Sequence, residues 1–222
     1  MERVLAQAFC QVDVVKGFRY LDDAGKIMNE YDAEFPEKNV GIQGLTMSNK
    51  TATLRGLAVS VSRIWLSFFK PDTLQYVLDQ SWQRVNKITE LTGVTGATRF
   101  GFRTENVVPI EDEDAVMKKV GPRVITPTIL PKDEKTLRSF GAMAEIRLDD
   151  MEAAIRVHLV RKADKAVESE LPEQGIMFDI DVYRGGDMLP INEYRAFLRK
   201  AIGWLDSYLP TLMREVVGQE VP

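Results

Sequence analysis

The sequence contains very few of the residues that build metal centres and disulfides. Its 222 residues include one cysteine, Cys10, and one histidine, His158. A single cysteine excludes an internal disulfide and a zinc site with several cysteine ligands, and a single histidine excludes a site with several histidine ligands. Cys10 lies in an apolar stretch, so we expect a small buried side chain. We therefore predict no cofactor and no metal, and we assign no catalytic residue.

The chain also lacks an excess of positive charge and any long apolar run. Its 29 lysines and arginines are outnumbered by 33 aspartates and glutamates, which leaves a net charge of -4. Proteins that bind nucleic acid through its phosphates usually carry a basic patch, so this balance argues against such a partner. No apolar stretch is long enough to span a bilayer, and the first residues do not resemble a signal peptide. We predict a cytoplasmic protein without membrane attachment.

A strand that leads through a polar turn into an amphipathic helix occurs twice. The first copy is a predicted strand over residues 63–69 and a predicted helix over 73–92. The second is a predicted strand over 176–183 and a predicted helix over 192–217. The pair Gly185-Gly186 between the second strand and its helix predicts a turn with positive φ. This repetition indicates two halves of similar pattern.

Strands outnumber helices along the chain, and most follow one another through short turns. Besides the two strands above, alternation predicts strands over residues 4–15, 40–47, 51–59, 94–110, 140–148 and 155–159. This order favours an α+β fold, with a mainly antiparallel sheet and amphipathic helices on one face. The acidic, proline-containing segment 111–138 predicts a linker or long loop between a first half, 1–110, and a second half, 139–222. Pro210 should kink or split the last helix.

Charged and aromatic side chains alternate in the predicted strand 94–110. Residues two apart in a strand share a face, so Arg99, Arg103 and Glu105 should lie together. Phe100 and Phe102 should point to the opposite side, into the core.

A second group of polar side chains follows the same rule in the later strands. Asp179 and Asp181 share one face of the strand 176–183, and Arg147, Arg156 and His158 can lie on the same side of the sheet. The candidate ligand-binding residues are therefore Arg99, Arg103, Glu105, Asp179, Asp181 and His158.

These residues allow two interpretations. One is a charged pocket, in which the arginines bind an anion or the aspartates bind a hard cation. The other is a solvated sheet face held by cross-strand ion pairs. No nucleophile elbow, phosphate-binding loop or dinucleotide glycine motif accompanies them, so the sequence assigns no reaction.

Two short motifs resemble a sporadically distributed bacterial family of unassigned function. Members tend to have a Ser-Trp pair in a helix, here Ser81-Trp82, followed by a strand with the pattern Arg-x-Gly-x-Arg-x-x-Asn. That pattern falls here on Arg99, Gly101, Arg103 and Asn106. The segment from Phe178 to Asp181 is similar to a strand in the second half of these proteins. The resemblance implies a two-part α+β fold in a bacterial protein and implies no activity.

Two classes of function remain open at this stage. The first is a non-enzymatic binding or self-associating scaffold, because long strands and amphipathic helices offer edges and grooves to a protein partner or to further copies of the chain. By fold-level analogy alone, a SecB-like chaperone is one version of it. The alternative is a small-ligand or metal-dependent enzyme that uses the Arg/Asp face. Convergence of those side chains in one concave pocket would favour the enzyme.

Overall fold

The computed structural model describes residues 3–15, 20–112, 120, 141–161, 172 and 174–217. Within these ranges the strands are β1 Val4–Val14, β2 Glu37–Val40, β3 Gly44–Ser48, β4 Leu54–Ser60, β5 Arg63–Phe69, β6 Gly96–Pro109, β7 Gly141–Leu148, β8 Met151–Arg161 and β9 Gln174–Pro190. The helices are α1 Tyr20–Glu30, α2 Leu74–Thr92 and α3 Tyr194–Val217, and a 3-10 turn over Ile191–Glu193 precedes α3. The predicted linker 111–138 lies outside the described residues, except for 111, 112 and 120.

The strands form one antiparallel sheet, which confirms the predicted α+β class. Its order is β2-β3-β4-β5-β1-β6-β9-β8-β7. β1 and β6, which both belong to the predicted first half, are neighbours at its centre, and β9 of the predicted second half pairs with β6. β5 flanks β1 as β9 flanks β6, and each of these flanking strands leads into a long helix. A single sheet therefore runs through both halves.

The three helices pack on one face of this sheet, as the sequence predicts. α1 contacts β3 and α2, α2 contacts β1 and β5, and α3 contacts β6, β9 and α2. The main apolar core lies between the helices and the sheet, and Phe100 and Phe102 are fully buried in it. Arg99 and Arg103 keep partly exposed side chains on the other side of β6. The predicted alternation of this strand is thus confirmed.

Local sequence signals set both ends of α2. The hydroxyl of Thr73 accepts a hydrogen bond of 3.1 Å from the backbone N–H of Tyr76, which satisfies one free amide of the first turn. Gly93 ends the helix with φ of 70°, and its N–H donates to the carbonyl of Thr89 at 2.8 Å. A left-handed residue at this position is most easily glycine, because other side chains are strained there.

Two predicted elements are wrong in detail. Residues 40–47 do not form one strand: the chain turns back between β2 and β3, and Gly41 donates to the carbonyl of Gly44 at 2.9 Å. Gly185 and Gly186 do not form a positive-φ turn, because β9 continues through them to Pro190. Gly185 pairs with Arg99 of β6, and the pairing resumes at Leu189 opposite Ala97 after an irregular stretch that contains Gly186. Pairing on both sides of this stretch overrides the local preference of glycine.

The last helix is continuous. α3 runs unbroken from Tyr194 to Val217 with Pro210 inside it, so the predicted split does not occur. Leu205, Leu209 and Met213 are buried on either side of the proline, and packing of this apolar stripe holds the helix together. Within the described ranges, no helix combines the length and the apolar character needed to cross a membrane.

Candidate functional site

We call the side of the sheet opposite α1, α2 and α3 the far face. The predicted polar residues lie on it, because strand periodicity turns them away from the helical core. Register brings them together: Glu105 of β6 lies opposite Asp179 of β9, which also lies opposite Arg156 of β8. Arg103 lies opposite Asp181 in the same pairing.

Asp179 is the centre of an ion-pair network on this face. Arg103 donates to its carboxylate through Nε at 2.7 Å and through Nη2 at 3.0 Å. Arg156 donates to the same carboxylate at 3.2 Å, and Arg103 also donates to Glu105 at 2.9 Å. Asp179 is only 3% exposed, so these charge-assisted bonds replace most of its hydration.

Three further contacts extend the network along the sheet. Arg99 donates to Asp181 at 2.9 Å and places its guanidinium 4.9 Å from the centre of the Tyr183 ring. Arg103 lies over the ring of Phe9 at 5.5 Å.

Burial lowers the pKa of Arg103, but its hydrogen bonds to Asp179 and the nearby carboxylates outweigh burial and raise it. The Arg103 guanidinium therefore stays charged at neutral pH.

The structure thus brings five of the six predicted site residues into one network. Three arginines face three carboxylates in it, and each arginine is bonded to a carboxylate. His158 lies on the same face of β8, two residues from Arg156 and opposite Met177. Within the described ranges, no group of three or more His, Cys, Asp or Glu side chains could hold a metal ion. The arrangement matches the ion-pair interpretation more closely than a pocket with unpaired charges.

A groove of about 700 Å³ lies on the far face beside this network, above β3, β4, β5 and β1. Its floor is made of short side chains, among them Thr46, Ala58 and Ser60. Trp65 of β5 lines it, and Ile42 of the β2–β3 turn lies at its rim with 89% of its surface exposed. Small residues on adjacent strands leave this space empty, because no large side chain stands up from the floor.

A second groove of about 310 Å³ continues along the same strands. Trp65 lines both, so we treat them together as the far-face groove. Trp65 stacks on Phe9 with ring centres 5.4 Å apart, and Arg55 lies over the ring of Phe69 at 4.3 Å. These aromatic side chains form apolar surface on an otherwise polar face.

Two of the basic side chains at the groove lie beside carboxylates. Arg63 donates to Asp13 at 2.6 Å, and Lys50 lies 3.3 Å from Glu37. The amide side chains of Gln11, Asn39 and Gln43 also line the larger groove. The groove therefore offers apolar contacts and neutral hydrogen-bonding groups.

This groove was not predicted from the sequence. A signal for it exists in β4, where Gly56, Ala58 and Ser60 occupy alternate positions, with Ser67 opposite Gly56 in β5. A face built from such residues cannot pack a core by itself. The closure of the groove depends on the β2–β3 turn, which the sequence analysis had placed inside a strand.

Cys10 lies away from this face, in the core between β1 and the helices. It accepts a hydrogen bond of 3.0 Å from the hydroxyl of Ser81, and the Tyr194 hydroxyl is buried beside it. Burial raises the pKa of the Cys10 thiol to about 12. The thiol therefore stays protonated and unreactive. The predicted burial of this side chain is confirmed.

No protein-family model matches the chain, and no curated protein is significantly similar to it. Four of the residues that carry the resemblance to the bacterial family have a structural contact: Ser81 with Cys10, Arg99 with Asp181, Arg103 with Asp179, and Asn106 with the hydroxyl of Thr104 at 3.2 Å. The relation to that family stays a prediction.

Proposed function

We propose that this protein is a non-enzymatic binding protein that holds an extended, mainly apolar polypeptide segment in the far-face groove. The observation that carries the proposal is the groove itself. It has a floor of short side chains and a wall formed by the stacked Phe9 and Trp65.

The length of the groove suits an extended chain. It follows β4, which has seven residues and therefore spans about 20 Å. An extended polypeptide of about seven residues covers the same distance.

The chemistry of the groove suits an uncharged segment. Trp65 and Phe9 provide apolar surface for side chains, while Gln11, Asn39 and Gln43 provide donors and acceptors for peptide groups. Arg63 is already bonded to Asp13, so an acidic ligand would have to compete with that carboxylate.

The narrower expectations stay predictions. These are the SecB-like chaperone version, the cytoplasmic location and the bacterial origin. Among the described residues, no specific observation favours the alternative of a small-ligand or metal-dependent enzyme, since the arginines and aspartates named for it bond to one another.

Binding of a labelled unfolded polypeptide tests the proposal. The probe is a fluorophore-labelled peptide of seven uncharged, mainly apolar residues with blocked ends, and the measurement is fluorescence anisotropy. Ala58→Glu places a charged side chain on the groove floor and should weaken binding at least about tenfold, or about 1.4 kcal/mol. Ile42→Asp, at the exposed rim, should weaken it less, because it removes apolar contact without filling the groove.

Ala33→Glu is the matched control. Ala33 is exposed in the turn after α1, and the same substitution there adds the same charge outside the groove. Binding by this variant should equal that of the unmodified protein. Failure of the unmodified protein to bind the probe, or equal loss in the Ala33 and Ala58 variants, would contradict the proposal.

A further inference from the structure

The two edge strands of the sheet are protected to different extents against pairing with a strand of another molecule. β2, at one end, is four residues long, and its Glu37 and Lys38 form ion pairs with Lys50 and Asp32. Short, charged strands are a common protection against edge-to-edge pairing. β7, at the other end, is eight residues long, and within the described ranges it pairs with β8 alone. Its residues are exposed or half-buried throughout, so β7 is the accessible edge.

The β7–β8 turn determines which backbone groups of β7 point outward. Leu148 lies opposite Met151, so the turn has two residues, and a pair that flanks such a turn is hydrogen-bonded. Backbone groups alternate along a strand, so those of Ile146 and Leu148 point to β8. Those of Met143, Glu145 and Arg147 then point to the open edge.

We propose that β7 pairs antiparallel with β7 of a second copy of the chain, with Ile146 on the two-fold axis. In this register Glu145 of each copy lies opposite Arg147 of the other. The pair forms twice, and both residues contribute outward-pointing backbone groups. Within the described part of the chain neither side chain forms an ion pair. Glu152 of β8 lies opposite Arg147, but its carboxylate accepts a hydrogen bond from the hydroxyl of Tyr183.

Charge selects this register over its neighbours. A shift of the pairing by two residues places Glu145 opposite Glu145 of the second copy, and like charges directly opposite are destabilising. A further shift by two residues in the same direction places Glu145 opposite Met143 of the second copy and Arg147 opposite Gly141. Only the proposed register among these three satisfies both charges.

The apolar side of β7 agrees with the same pairing. Ile146 and Leu148 are partly buried and pack against the core on the helical side of the sheet. In the dimer Ile146 meets its own copy, and Leu148 meets Ala144. Their remaining exposed surface is then covered. This edge lies at the opposite end of the sheet from the far-face groove, so the dimer does not depend on the proposed function.

Analytical ultracentrifugation tests the dimer. Because the shared strand is short, association should be weak, and concentrations from about 10 µM to about 1 mM cover its range. The mass should rise with concentration toward twice the 25.1 kDa of one chain. Glu145→Lys and Arg147→Glu should each weaken association by about tenfold or more, because each creates two like-charge pairs in the dimer.

The double variant Glu145→Lys/Arg147→Glu restores opposite charges and should associate within about threefold of the unmodified chain. A chain that stays monomeric over the whole range overturns the proposal. Dimers that tolerate both single substitutions overturn it as well, and single defects that the double variant does not repair overturn the register. Circular dichroism and melting temperature verify that each variant is folded.

Discussion

Removing the Asp179 carboxylate is the sharpest test of the far-face network. Asp179→Ala deletes the acceptor of three hydrogen bonds, of 2.7, 3.0 and 3.2 Å, and leaves two arginines facing the space between them. Deleting one partner of a buried ion pair typically costs about 3–5 kcal/mol. The side chains of Arg103 and Arg156 are 41% and 39% exposed, so water can partly replace the carboxylate. We therefore expect a loss of about 2–3 kcal/mol in the free energy of unfolding.

Asp181→Ala is the matched control on the same strand and face. Asp181 is bonded to Arg99, and its side chain is 23% exposed, so its loss should cost about 1 kcal/mol or less. Urea unfolding followed by circular dichroism measures both variants. The triple variant Arg103→Met/Asp179→Leu/Arg156→Met removes all three charges and should recover most of the loss. Equal destabilisation by the two single variants, or a loss below about 0.5 kcal/mol for Asp179→Ala, would refute the central role of Asp179.

The remaining predictions concern the core and the backbone. Burial raises the pKa of the Cys10 thiol to about 12, so the folded chain keeps a proton that the unfolded chain loses above its ordinary pKa of about 8.5. The contribution of this thiol to the free energy of unfolding is therefore complete below about pH 8.5 and is lost toward pH 12, by at most about 1.4 kcal/mol per pH unit. Urea unfolding at increasing pH measures this loss, and Cys10→Ala should make the free energy of unfolding depend less on pH. Gly175→Ala should lower stability by about 1–3 kcal/mol, because its new Cβ would lie 2.8 Å from the carbonyl oxygen of Val108. Gly101→Ala should change the melting temperature little, since the nearest atom would be 3.5 Å away; equal effects of the two alanines would contradict this steric argument.

Much of the fold could be predicted from sequence periodicity. The ends of α2 follow from Thr73 and Gly93, which act through local hydrogen bonds and local backbone conformation. The opposite faces of β6 follow from alternation of Phe100 and Phe102 with the arginines, because a pleated strand turns successive side chains to opposite sides. Errors occurred at glycines. Gly185 and Gly186 accept a turn or a strand equally well, and the pairing of β9 with β6 at Gly185 and again at Leu189 decided that the strand continues.

The candidate site also has features that could be predicted from the sequence and features that could not. The shared face of Arg99, Arg103 and Glu105 could be predicted, since it depends only on spacing within one strand. The partner of each arginine could not, because Arg103 and Asp179 are 76 residues apart and meet only through the register of β6 with β9. The far-face groove could not be predicted either, because it forms only when four strands and a turn come together.

Local sequence patterns were enough to predict most of the strands and helices, the side chains that avoid water and the burial of the lone thiol. These properties depend on neighbours a few residues away. The tertiary structure alone decided that β1 and β6 meet at the centre of one sheet, that short side chains of three strands line a groove, and that β7 is left at the edge. Strand order and register come from contacts between distant segments, and local spacing contains no information about which distant segment a strand will meet.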